Sequence, residues 1–291
     1  MKHPLRLALI LLMAGMSSPA FGQARPDQFF DSNGVRIRYI EQGTGEPVVL
    51  LHGFLGNAER TWVTSGVFQQ LAKHYRVIAV DCRGHGKSDK PHRVKQYGQE
   101  MAFDVTRLLD HLKIRRAHIV GYSMGGNITA RLLTLKPERF LTATLGGSGG
   151  MLALTAAEIG LFEQLAADLE KGSLRTMILA LSPKDQPPPT EEQIKQSAAR
   201  LAGQDLAALA ALARSLPELA ITEKQVATIK APTLAIVGTA DSTMEGVNKL
   251  KKVMPTLKVA QVEKATHGNA VGRPEFIEAL QEFLKAHSTG K

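Results

Sequence analysis

The chain is poor in cysteine and in aromatic residues. Cys82 is its single cysteine, which excludes an intramolecular disulfide and a thiolate zinc cluster. Aromatic residues make up 5% of the sequence, and no run of Lys and Arg is interleaved with them. The net charge of +9 therefore does not read as a nucleic-acid face, because its basic residues are spread along the chain among Asp and Glu. Repeats of solenoid period are absent. With 44% hydrophobic and 22% charged residues, disorder, collagen and coiled coil are excluded. A chain of 291 residues buries roughly three quarters of its unfolded surface and needs no disulfide to fold.

Acidic residues are missing from the first 22 positions. Met1 to Arg6 is short and basic, Leu7 to Met16 carries no charge, and Ala20-Phe21-Gly22 has the small-x-small pattern of a cleavage site. This layout predicts a secretory signal peptide over 1–22 rather than a buried N-terminal helix. The apolar stretch is too short to span a bilayer, which takes about 20 residues. No cysteine follows it, so a lipid anchor is not expected. The mature chain is expected to begin at Gln23 and to be periplasmic or secreted, with no stable membrane anchor. A lone thiol suits an oxidising compartment.

Beyond this, strand and helix patterns alternate. Phe29-Phe30 and Val35 to Ile40 flank Ser32-Asn33-Gly34, a hairpin signal. Pro47 to Leu51, Arg76 to Val80, Ala117 to Val120 and Leu141 to Leu145 are short apolar runs like those of strands covered on both faces. Helical patterns cover Thr61 to Lys73, Tyr97 to Leu112 and Met124 to Leu135, the last stopped by Lys136-Pro137. The rhythm predicts an α/β fold with a mostly parallel, doubly wound sheet. It breaks at Gly146-Gly147-Ser148-Gly149-Gly150. Residues 151 to 228 show no convincing strand, and Thr155/Glu158, Thr190/Gln193 and Thr222/Gln225 have capping-box spacing. Sheet pattern resumes at Thr233 to Val237 and Leu257 to Val262, with helices over Val247 to Val253 and Pro274 to Ala286. The expected organisation is a sheet core of 23–146 and 229–291 interrupted by a helical insertion of 147–228.

Gly121-Tyr122-Ser123-Met124-Gly125 follows a strand and opens a helix, the context a nucleophile elbow requires. A sharp turn there leaves no room for side chains two residues either side of the serine. A serine needs a base. Of the nine histidines, His267 lies in the loop between the last strand and the last helix, on the edge of a parallel sheet that also carries Ser123. His74, His92, His111, His118 and His287 read as core or surface residues, and His52 and His85 as shapers of glycine-rich turns. Asp241, just after the preceding strand, is the carboxylate that would orient His267. The alternative position, at Gly146-Gly147-Ser148, holds none. The two oxyanion donors are expected to be the backbone N–H groups of Met124 and Phe54. No metal or organic cofactor is expected.

Together, His52-Gly53-Phe54, Asp81-Cys82-Arg83-Gly84-His85-Gly86-Lys87-Ser88, the Ser123 elbow, Asp241 and His267 resemble the α/β-hydrolase fold family, over nearly all of residues 29 to 287. The order serine, aspartate, histidine is that family's order. The resemblance implies that 151–228 is a helical lid over the site and that Asp81 to Ser88 is loop architecture. A serine nucleophile argues against the dehalogenases and epoxide hydrolases of this fold, which use aspartate. Phe54-Leu55-Gly56-Asn57 does not match the glycine-proline signature frequent in carbon–carbon bond hydrolases. The leading expectation is a serine ester hydrolase acting on a small-molecule ester. Carbon–carbon hydrolysis, lactonase and thioesterase chemistry stay open, and a non-catalytic ligand-binding protein is the remaining alternative.

Overall fold

The computed structural model describes residues 25–183 and 186–288; the expected signal peptide lies outside them. An eight-stranded sheet forms the centre, in the order β1-β2-β4-β3-β5-β6-β7-β8. Its strands are β1 (Gln28–Asp31), β2 (Arg36–Gln42), β3 (Pro47–Leu51), β4 (Arg76–Val80), β5 (Ala117–Tyr122), β6 (Phe140–Gly146), β7 (Thr233–Gly238) and β8 (Lys258–Val262). β1 with β2 and β2 with β4 are antiparallel; from β4 to β8 every pairing is parallel.

The apolar runs form strands because helices cover both faces of the sheet. Along β3, Val49 and Leu51 pack on one side and Val48 and Leu50 on the other, the period-two alternation of a strand. The first side is covered by α2 (Gln99–His111) and α3 (Met124–Leu135), through Met101, Val105, Ile128 and Leu132. The second is covered by α1 (Val67–Leu71) and, at the end of the chain, the helix Pro274–Ala286, through Phe68, Leu71, Phe276 and Leu280. β5 and β7 are buried along their whole length.

The single helix expected over Thr61 to Lys73 is instead two pieces, a π-helical turn Glu59–Val63 and α1. Gly66, with φ of +83°, caps α1 in left-handed geometry and breaks the run.

Between β6 and β7 the described chain contributes no strand to the sheet. It forms α4 (Ala156–Glu170), α5 (Arg175–Leu181), α6 (Glu191–Ser197), α7 (Leu206–Ser215) and α8 (Glu223–Val226). Thr155, Thr190 and Thr222 each make a complete capping box, satisfying N–H groups a helix start leaves open. These helices share a small core of Leu165, Leu169, Leu174 and Leu209 with Leu55, and Phe54 packs against it. The segment thus sits on the loop that follows β3. The remaining helices are α9 (Met244–Val253) and α10 (Pro274–Ala286).

Candidate active site

The loops after β3, β4, β5, β6, β7 and β8 all leave the carboxyl edge of the sheet, and those after β3, β5, β7 and β8 carry the residues singled out by sequence. In open α/β sheets that edge, where the strand order reverses about β3, is where ligands bind. Only Ser123 separates β5 from α3. Its φ of 54° and ψ of −113° lie outside the usual L-residue wells, a strain of about 1–3 kcal/mol. The flanking glycines are a steric necessity. A Cβ on Gly121 would lie 2.0 Å from the Gly125 carbonyl oxygen, and one on Gly125 would lie 2.2 Å from that of Leu51. Both obstacles are backbone atoms. The Ser123 N–H donates to the Gly146 carbonyl at 2.7 Å, tying the turn to β6.

The Ser123 Oγ stands 2.9 Å from His267 Nε2. His267 Nδ1 lies 3.0 Å and 3.2 Å from the two carboxylate oxygens of Asp241. The Asp241 side chain is 0% exposed and also accepts from the N–H and hydroxyl of Thr243, at 2.9 and 2.8 Å. Burial alone would raise its pKa, but the hydrogen bonds and charge of His267, with the two bonds from Thr243, hold the carboxyl below its ordinary range. An ionised Asp241 can only accept, so His267 keeps its proton on Nδ1, donates it in a hydrogen bond to the carboxylate, and presents the Nε2 lone pair to Ser123. Tyr122 donates its hydroxyl to the His267 carbonyl at 2.7 Å and its ring lies against the imidazole, 5.6 Å between centroids. Burial pushes the Tyr122 phenol up, so it stays a neutral donor.

The loop after β3 passes over the serine: a Cβ on Gly53 would be 3.1 Å from that of Ser123. His52 fixes this loop from below. Its Nε2 accepts from the Cys82 N–H at 3.0 Å, so the ring proton is on Nδ1 and is donated to the Gly53 carbonyl at 2.8 Å. The Gly56 N–H donates to the same carbonyl at 2.9 Å. Since the C=O and N–H of a trans peptide point opposite ways, anchoring the Gly53 carbonyl turns the Phe54 N–H away from those anchors. Among the described residues the N–H groups of Phe54 and Met124 have no protein acceptor, and Met124 is the first residue of α3, where the helix dipole favours negative charge.

His85 stacks edge-on against both His52 and Phe54, at 5.0 and 5.8 Å. Burial, with the neighbouring His52 as a smaller cause, pushes the His85 pKa down to about 3; burial lowers that of His52 as well. A histidine that stays neutral in the fold is protonated in the unfolded chain below about pH 6.5. The unfolded state then binds more protons, so stability falls on acidification, by about 1.4 kcal/mol per pH unit for each such histidine. For His85 this loss should run from about pH 6.5 down to about 3. Urea unfolding between pH 7 and 5 should show the decline, and His85→Gln should flatten it. An unchanged slope in that variant would rule out His85 as a cause.

The structure brings together Ser123, His267 and Asp241, with Phe54 and Met124 beside them. Sequence reasoning did not find Thr243, which has no motif, nor Tyr122, which occupies a free position of the elbow. It also left several histidines without partners that the structure supplies: His118 faces Thr142 and Glu46, His92 faces Asp205, and His111 stacks on Phe30. Cys82 is buried, which pushes its thiol up and leaves it protonated.

This combination of a doubly wound sheet with a serine on a strand–helix elbow defines a class of fold. The alpha/beta hydrolase fold profile matches residues 46–188. The chain belongs to the α/β-hydrolase fold family. It is 27% identical over 271 residues, 87% of this chain and 96% of the relative, to a Bacillus subtilis (strain 168) protein named as a candidate 2-succinyl-6-hydroxy-2,4-cyclohexadiene-1-carboxylate synthase. It is 37% identical over 130 residues, 43% of each chain, to the 2-hydroxy-6-oxo-6-(2'-aminophenyl)hexa-2,4-dienoic acid hydrolase of Metapseudomonas resinovorans. Among solved structures, a bromoperoxidase from Bacillus anthracis superposes with a TM-score of 0.71 at 27% identity, over 89% of this chain and 100% of that one. Several other curated relatives are matched over 31% to 44% of their length.

Proposed function

We propose that the protein is an exported serine hydrolase that cleaves carboxylic esters of small molecules through an acyl-enzyme. The observation that carries this reading is the unbroken line of hydrogen bonds from Asp241 through His267 to the Ser123 Oγ, beside two N–H groups without protein acceptors. His267 Nε2 takes the Ser123 proton as Oγ attacks the ester carbonyl. The carbonyl oxygen becomes an oxyanion held by the Phe54 and Met124 N–H groups. His267 returns the proton to the departing alcohol. Water then repeats the sequence on the acyl-enzyme and frees the acid. Nothing in these steps draws on a metal or an organic cofactor. Mixing the protein with an activated aryl ester should release a burst of phenol equal to the amount of protein; failure to form any acyl-protein, by mass, would sink the reading.

Carbon–carbon hydrolysis on the same residues is the second reading, and the likeness to the hydrolase from Metapseudomonas resinovorans is what favours it. A non-catalytic binding protein would have a broken constellation, and this one is intact.

The helices between β6 and β7 would act as the lid. A cavity of about 340 Å³ opens beside Ser123, and Met151, Leu152 and Leu181 line it. Leu161, on α4, is 44% exposed and does not line it. Leu181→Ala or Met151→Ala should therefore shift chain-length preference, changing the ratio of kcat/KM for long and short acyl esters by about tenfold. A ratio unmoved by both would remove the cavity from the specificity apparatus. Export follows from the N-terminal pattern: protein recovered from the periplasm or medium should start at Gln23 by mass, and retained Met1 would contradict it.

A further inference from the structure

Asn127 lies one helical turn beyond Ser123, its N–H donating to the Ser123 carbonyl at 3.1 Å. Both side chains line the cavity. Asparagine is a poor choice at this place, about 0.7 kcal/mol worse than alanine in a helix, and most of α3 around it is buried and apolar. Its carboxamide has a fixed orientation. The Ser148 hydroxyl, only 3% exposed as a residue, accepts from the Gly150 N–H at 3.1 Å and donates to Asn127 Oδ1 at 2.7 Å. Turning the amide over would leave the buried Ser148 proton without an acceptor, at a cost of about 1–3 kcal/mol. The Asn127 NH₂ therefore points away from Ser148, and it donates to no protein group among the described residues.

The rim of the same cavity carries Glu158, Glu245 and Lys249. Lys249 sits 3.3 Å from Glu245. The Asn127 amide is neutral and cannot offset the desolvation of an anion, so an uncharged oxygen is the acceptor suited to its donors. The apolar wall of Met151, Leu152 and Leu181 suits a short hydrocarbon portion around it.

We propose that Asn127 is a specificity-determining residue whose NH₂ binds an uncharged carbonyl or hydroxyl oxygen of the substrate, so that the preferred substrates are short oxo- or hydroxy-substituted esters. This deepens the ester-hydrolase reading and rests on it. Ser148 is the positioning residue that aims the amide.

The test compares kcat/KM for matched substrates: p-nitrophenyl butanoate against p-nitrophenyl 3-hydroxybutanoate, and a plain alkyl butanoate against its 2-oxoalkyl counterpart. The two pairs place the oxygen on the acyl and on the alcohol side. The unaltered protein should favour the oxygenated member of at least one pair. Asn127→Ala and Asn127→Leu should lower that preference about 10- to 100-fold, and Ser148→Ala should lower it in the same direction by freeing the amide to rotate. Alanine favours the helix, so the first variant keeps the test usable if leucine does not fold. A protein that hydrolyses esters without preferring the oxygenated member, or variants whose ratios stay within about threefold of the original, overturns the assignment of Asn127 and leaves the hydrolase reading standing. A protein that turns over none of the four esters overturns both.

Discussion

Replacing Ser123 by alanine should lower ester turnover by about 10⁴-fold or more while the protein stays folded. On the proposed acyl-enzyme mechanism the large loss follows because serine, base and carboxylate would act as one unit, so removing any member forfeits most of what all three supply. The fold should survive because what Ser123 gives the structure is backbone. Its N–H bond to Gly146 does not involve the hydroxyl, and the steric demands of the turn fall on Gly121 and Gly125. Alanine accepts a φ of 54° no less readily than serine does. Trp62 is fully buried under α1 and is the chain's one tryptophan, so its fluorescence reports whether the packing is kept. More than a tenth of the original activity in a folded variant would remove Ser123 as the nucleophile.

Asp241→Asn should cost about 10³- to 10⁴-fold in kcat, although it changes one atom. The carboxylate can only accept, which places the His267 proton on Nδ1 and leaves Nε2 free to take the proton of Ser123. An amide in the same place can turn its NH₂ toward Nδ1 and hold the ring in the other tautomer, with a hydrogen on Nε2 facing the serine. Thr243 strengthens the effect, because its N–H and hydroxyl both donate to Asp241 Oδ1 and would hold the amide oxygen on their side, leaving the NH₂ for the imidazole. Asp241→Ala, which imposes no tautomer, should lose no more than the asparagine variant does. If the asparagine variant retains a third or more of the original kcat, the carboxylate does not orient the base. Because the Asp241 carboxyl is held below its ordinary range, a fall in rate between pH 8 and 5 would not come from its protonation.

Elements buried on both faces were the most legible from sequence. The runs Pro47 to Leu51 and Arg76 to Val80 are strands with the bounds the apolar pattern implies, and the last helix begins at Pro274 and ends at Ala286 as read. The three threonine boxes cap helices at the expected residues, because capping is a contact between residues three apart. The pairing order of the sheet is a different matter. That β4 lies between β2 and β3 depends on long-range packing, and no local pattern carries it. The same holds at the site. The glycines of the elbow have a local cause and were readable. The Tyr122 bond to the His267 carbonyl and the Cys82 N–H bond to His52 arise only when distant loops meet, whereas Thr243 lies two residues from Asp241 and its bonds to the carboxylate are local but marked by no motif. The break at Gly66 was misread because the apolar residues on either side keep helical spacing through it.

The placement of α4 to α8 between β6 and β7 has a kinetic consequence. Ser123 is set by β5 and β6, early in the chain. Asp241 and His267 arrive with β7 and β8, and His267 stands 144 residues after its serine. Strand β7 must find β6 across the entire helical segment, and non-local parallel pairing of that sort is slow because a long loop has to be closed before any contact rewards it. The helices of the segment are local and can form first. On the proposed serine-hydrolase reading, a partly folded chain that has its elbow but not its last two strands would be inert, holding a serine without a base until the sheet is complete.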